Sequence, residues 1–211
     1  MELSSFQLKC IAIITMTIDH VGAILFPQVL WLRYVGRIAF PIFCFLLVEG
    51  YFHTRNIEKY LMRLGVFACI SEIPYDLAFR GNVLDIEYQN VFFTLFLGVG
   101  MMYYLERYRE TEKKFLCVLL IMWLANTLAV DYGYKGILLI AIYYFLREQK
   151  TEKMLLGACW NLLWGKIQSF GVLATLLLVN YHGEKGRSMK YFFYAFYPIH
   201  LLILYGISVI F

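Results

Sequence analysis

The chain has 211 residues, 61% hydrophobic and 18% aromatic, with only 16% charged and a mean hydropathy of +0.65. An ordinary soluble domain is about one quarter charged, so the composition is that of a membrane protein, and no soluble domain is left over. Apolar runs of about 18 to 20 residues recur along the whole length, which excludes a lone cleavable leader as their source. The net charge of +4 gives no support to a nucleic-acid partner, because basic residues of a polytopic protein mark cytoplasmic loops.

Nine apolar segments are predicted, over 6–26, 36–52, 58–79, 89–105, 114–130, 135–147, 153–165, 169–181 and 191–210. Eight and ten remain alternatives, because the sixth to eighth are short for a bilayer about 30 Å thick. The fold class is all-α, a polytopic transmembrane helical bundle, with residues 1–211 as one transmembrane domain. Loops of this length leave no room for a separate catalytic domain, so any site is built from helix walls and loop mouths.

The first segment carries Thr15, Thr17 and the adjacent pair Asp19 and His20. An ionisable group near the bilayer centre costs about 2.5 to 3.5 kcal/mol on insertion scales, so such groups face a bundle interior or a wet cavity. Helix neighbours point about 100° apart. One of the pair is therefore expected to face a cavity while the other fixes a partner group, Asp19 orienting a distant Arg or His and His20 serving as base.

The second segment opens with Arg37, level with Asp19 and His20, and carries Pro41, which should kink the helix and free a carbonyl. It closes near Glu49, whose plain reading is an interfacial carboxylate paired with Arg55 or Lys59. In the third, Glu72, Asp76 and Arg80 recur at i, i+4 and i+8, sharing one face if the helix continues through Pro74. Asn90 and Thr94 follow in the fourth, and an Asp131-Tyr132-Gly133-Tyr134-Lys135-Gly136 turn precedes the sixth. After the eighth comes the loop Tyr181-His182-Gly183-Glu184-Lys185-Gly186, with Arg187 and Lys190 beyond it. Glycine-rich backbone beside those cations can cradle phosphate, although a plain basic loop explains it as well. The last segment holds Tyr197 and His200 one turn apart, and closing the bundle would bring His20 and His200 to one cavity.

Loops after segments two, four, six and eight hold most of the 19 basic residues, including Arg55, Arg107, Arg147 and Lys185. The positive-inside rule then places the N-terminus and these loops in the cytoplasm and the C-terminus outside. The five cysteines, Cys10, Cys44, Cys69, Cys117 and Cys159, fall one per segment without ligand spacing. They read as small buried apolar residues, and no metal is expected.

The segments IDHVGAILF, GRIAFPIFCFLLVEGYFHTRN, SEIPYDLAF, NVFFTL, DYGYKG and FYAFYPIHLLIL occur in that order between about Leu8 and Leu204. On these motifs the chain resembles the TraX family of integral membrane proteins, associated with N-terminal acetylation of pilin and similar to a wider group of membrane acyltransferases. The resemblance implies an acetyl-CoA or other acyl-CoA donor bound from the cytoplasm, a peptide or glycan acceptor, and a bacterial cytoplasmic membrane setting. Its implied functional positions are Asp19, His20, Arg37, Glu49, Glu72, Asp76 and His200. Where the resemblance implies a Tyr-Asn-Gly stretch followed by a basic residue, this chain has Tyr181-His182-Gly183-Glu184-Lys185, and Glu184 would weaken a phosphate contact there.

The resulting expectation is acyl transfer with His20 as base, oriented by Asp19 or Glu72, and with Arg37 or His200 assisting the anionic intermediate. Glu49, Asp76, Asn90 and Tyr197 are expected near the acceptor, and Tyr181, Lys185, Arg187 and Lys190 near the donor. A small proton-coupled transporter is the alternative, since it too keeps acids and histidines in its helices. Such a carrier is expected to show repeated halves, and none is found here.

Overall fold

The computed structural model describes residues 2–210. They form nine helices, with no strand beyond two isolated bridges. These are α1 (Ser5–Ile24), α2 (Leu30–His53), α3 (Ile57–Arg80), α4 (Val91–Arg107), α5 (Lys113–Thr127), α6 (Gly133–Phe145), α7 (Lys150–Leu162), α8 (Gln168–Leu178) and α9 (Lys190–Ile210). Helices α1, α2 and α9 are each long and apolar enough to cross a membrane, whereas α6 and α8 are shorter apolar helices.

Local chemistry explains the ends of these elements. Ser4 caps α1 in a capping box with Gln7, Asn56 caps α3, and Gly81 closes α3 in the left-handed region at φ 71°. α2 is broken between Leu30–Gly36 and Ala39–His53. Pro41 has no N–H to offer the Arg37 carbonyl four residues back, so regular helix cannot run through that point. α3 continues through Pro74, so Glu72 and Asp76 share a face.

The main departure from the predicted segments is the start of α2, which lies six residues before the expected 36. Arg33 made the preceding stretch read as a loop. It is tolerated in a helix because its guanidinium finds a carboxylate there. The cysteine reading also needs correction. Cys44 alone is buried, while Cys69 and Cys159 are exposed on the outer surface of the bundle, and the five thiols are free.

α1 and α2 pack at the closest distance their side chains permit. A Cβ added at Gly36 would run into the Asp19 side chain, and one at Gly22 would come within 2.6 Å of Leu32 Cβ. Small residues at a helix crossing allow this approach. One continuous apolar cluster, including Ile42, Leu64, Met101, Ile140, Leu178 and Leu201, runs through the bundle.

Loops gather at two ends. The N-terminus meets the loop after α8 through Leu3 N–H to the Asn180 carbonyl at 2.8 Å and Ser5 N–H to the Glu184 carbonyl at 2.7 Å. At that same end Tyr144 donates to Glu106, and Arg147 faces Glu49. At the opposite end Gln89 N–H donates to the Ala129 carbonyl at 3.1 Å, and Asp131 N–H to the Gln89 carbonyl at 2.9 Å. The basic loops therefore sit at one pole, and Asp19 and His20 at the other.

Candidate functional site

Three helices build the polar centre at the second pole. Asp19 is 6% exposed and receives two guanidiniums from α2. Arg33 Nη1 donates to its Oδ2 at 2.8 Å and to its backbone carbonyl at 3.1 Å, and Arg37 donates through Nε at 3.2 Å and through Nη2. Arg33 and Arg37 are four residues apart, so one helix face supplies both cations to one carboxylate. The two guanidiniums share this one carboxylate, and the Asp131 carboxyl is a second acid close enough to act on both arginines.

His20 points away from this cluster, as the angular separation of helix neighbours requires. Its ring is half-buried and packs edge-on to Phe79 and Tyr197, with centroids at 5.4 and 6.1 Å. Its Nδ1 lies 2.7 Å from His200 Nε2, and His200 Nδ1 lies 2.9 Å from the Phe196 carbonyl. These contacts fix the tautomers. A carbonyl only accepts, so His200 Nδ1 carries the proton and neutral His200 presents a lone pair at Nε2. His20 must then donate from Nδ1, which leaves its own Nε2 as a lone pair without an intramolecular partner among the described residues. This arrangement presets a base.

The expected bringing together of His20 and His200 is what the structure has. The expected orienting group is different, because neither Asp19 nor Glu72 bonds His20. Asp19 is committed to the arginines. Glu72, 8% exposed, accepts from the Asn90 side chain, while its Oε1 and the Oδ1 of fully buried Asp76 are sealed and have no hydrogen-bond partner among the described residues. The other oxygen of Asp76 accepts from Asp85 N–H at 2.8 Å.

Asn90 does not open toward a ligand. It is fully buried, caps α4 by accepting from Phe92 N–H, and ties α4 to α3 through Ala68 and Glu72. Tyr197 is buried and packs against both histidine rings.

Glu49, Tyr181, Lys185, Arg187 and Lys190 lie at the opposite pole. Glu49 meets neither Arg55 nor Lys59. It stands 4.0 Å from Arg147 and receives a long hydrogen bond, 3.5 Å, from Tyr181, whose hydroxyl is also 3.1 Å from Ser5 Oγ. Lys185, Arg187 and Lys190 are exposed. Among the described residues no group of three or more His, Cys, Asp or Glu is arranged to hold a metal ion.

Sequence reasoning passed over Arg33, and it saw Asp131 and Tyr132 only as parts of a turn. Thr94 on α4 donates to the Asp131 carbonyl, and Tyr132 stacks on Phe40 with a left-handed φ of 65°. A non-glycine residue in that region is strained and persists only where its surroundings hold it. The spacing of Arg33 and Arg37 was the available signal for the first of these residues.

Burial pushes the Asp131 carboxyl up to about 6, with the Arg37 cation and the Tyr132 N–H partly opposing the shift. The folded chain therefore holds this proton more tightly than the unfolded chain, and stability falls as pH rises from about 4 to about 6. Asp131→Asn should melt at a higher temperature than the parent at pH 7.5, with the gap closing near pH 4. A lower melting temperature for the variant at pH 7.5 would contradict this sign.

The TraX protein family matches residues 4–208. The chain belongs to the TraX family. It is 34% identical to the probable fimbrial assembly protein FimC, serogroup H1, of Dichelobacter nodosus, over 96% of this chain and 95% of that one. It is 27% identical to Protein TraX of Escherichia coli, over 93% of this chain and 84% of the relative. No solved structure matches the chain. The TraX match runs from the α1 cap into the last turn of α9 and so includes both histidines and the arginine pair.

Proposed function

We propose that this TraX-family chain is a membrane-embedded acyltransferase, moving an acyl group from acyl-CoA to an amine or hydroxyl of a peptide or glycan. The observation that carries the reading is the hydrogen-bonded chain from His20 through His200 to the Phe196 carbonyl, which leaves one imidazole lone pair free. The base abstracts a proton from the acceptor as the acceptor heteroatom attacks the thioester carbonyl. The charge gained by the new imidazolium is stabilised by His200 Nε2 through the Nδ1–H of His20. The negative charge of the tetrahedral intermediate is stabilised by the Arg33 and Arg37 guanidiniums, on the helix that packs beside His20. On collapse the carbon–sulfur bond breaks, the acyl group stays on the acceptor, and the leaving thiolate receives the proton held by His20.

The charge asymmetry of the two poles supports a cytoplasmic N-terminus and an external C-terminus in a bacterial cytoplasmic membrane. Donor phosphates then belong at the basic pole and acceptor chemistry at the other, with the pantetheine arm between them. The relative named as a fimbrial assembly protein favours a peptide acceptor. Purified chain in nanodiscs, given radiolabelled acetyl-CoA and candidate peptides, should transfer label to the peptide with release of free thiol. A carrier would move solute across a vesicle wall and leave every acceptor unlabelled, and that result would overturn the enzyme reading.

A further inference from the structure

A cationic cluster at the pole opposite the histidines lies outside the site described above. The turn from α6 to α7 carries Arg147, whose guanidinium sits 4.1 Å above the Phe52 ring. Its Nε is sealed from solvent and has no hydrogen-bond partner among the described residues. The facing carboxylate of Glu49 stands 4.0 Å from that nitrogen, beyond hydrogen-bond reach.

Lys153 in the first turn of α7 is only 6% exposed. Its Nζ donates to the Arg147 carbonyl at 2.8 Å and lies 5.2 Å from the Phe45 ring. No carboxylate lies within 4 Å of Lys153 among the described residues, and Arg147 faces the half-buried Glu49 across a gap. Glu148 reaches Arg147 Nη1 at 3.0 Å, but its side chain is 86% exposed, and so solvated a pair contributes little.

The two carboxylates at Arg147 are one distant and one solvated, so both cations keep donors for an anion, and a guanidinium beside an ammonium suits phosphate oxygens. The exposed loop after α8 is a poorer match. The open depression of about 540 Å³ beside it is lined by Arg187 and His182 but also by Glu2 and Glu184, whose charges oppose an anion. Ser4 lines that depression. From the next residue a polar chain runs through Ser5 and Tyr181 to Glu49, reaching the Arg147 cluster.

We propose that Arg147 and Lys153 form a phosphate-binding site for the nucleotide end of the acyl donor, with Glu148 occupying the place of the phosphate until the donor enters. This assignment rests on the acyltransferase reading.

The test titrates full-length chain in phosphatidylcholine nanodiscs with coenzyme A. Arg147→Gln should weaken binding at least tenfold, by an amount that shrinks at high salt. Glu148→Gln, at an exposed position, should tighten binding severalfold because it removes the competing carboxylate. Parent and both variants binding coenzyme A equally would overturn the site. Failure of the parent itself to bind coenzyme A would overturn the donor reading. If the Arg147→Gln change is felt only as lost stabilisation by phosphatidylglycerol, the cluster is a lipid headgroup site and the donor assignment is wrong.

Discussion

If the proposed acyl transfer uses His20 as its base, His20→Ala should lower turnover by about 100- to 10,000-fold and leave the donor KM unchanged, the loss that follows removal of a general base. The argument is one of proton inventory. The Phe196 carbonyl claims the Nδ1 proton of His200, so the His200 lone pair claims the Nδ1 proton of His20, and Nε2 of His20 is left to accept. Because His200 acts through His20, it is a positioning residue and should show a milder and differently shaped loss. His200→Ala removes the acceptor that supports the imidazolium, so turnover should fall and the acid limb of the pH–rate profile should shift. His200→Gln keeps a side-chain oxygen that can accept from Nδ1 and should restore part of the rate. Measured kcat, KM and pH profiles for the three variants check this. Full activity in His20→Ala protein that inserts and folds normally would remove His20 from the mechanism.

Asp19→Asn destabilises the bundle by about 3 kcal/mol, the low end of the cost of breaking a buried ion pair. The low end is appropriate because the Arg33 and Arg37 side chains retain 25% and 14% exposure, respectively, against 8% for Asp19. Loss of the carboxylate strands two cations that share it, and water reaches them only in part. The melting temperature in detergent should fall accordingly. Adding Arg33→Gln to Asp19→Asn should then cost less than the sum of the single changes, since one stranded cation has gone. Strict additivity would mean that the cluster is not electrically coupled.

Hydropathy made the nine helices legible because burial in a bilayer demands long apolar runs, and the expected intervals overlap the observed helices throughout. The early start of α2 was missed because Arg33 looks like loop chemistry until its carboxylate partner is known, and that partner is fourteen positions earlier in the chain. For the same reason Asp19 was recognisable as unusual while its role was recoverable only in outline. His20 and His200 could be nominated together, as two imidazoles in apolar helices. Which of them keeps a free lone pair depends on the backbone carbonyl of Phe196, which a sequence does not display. Asn90 shows the opposite failure. A polar residue in an apolar run suggested ligand binding, but its buried amide is consumed by helix capping and by Ala68 and Glu72.

The histidine pair joins helices at opposite ends of the polypeptide, and this has a consequence for biogenesis. A ribosome that has delivered α1 through α8 has made His20, the arginine clamp and the α6–α7 turn, but not the imidazole that fixes the tautomer of His20. Only insertion of α9 supplies His200. The pair is therefore completed only when α9 inserts, and a chain inserted through α8 holds His20 with an undirected proton.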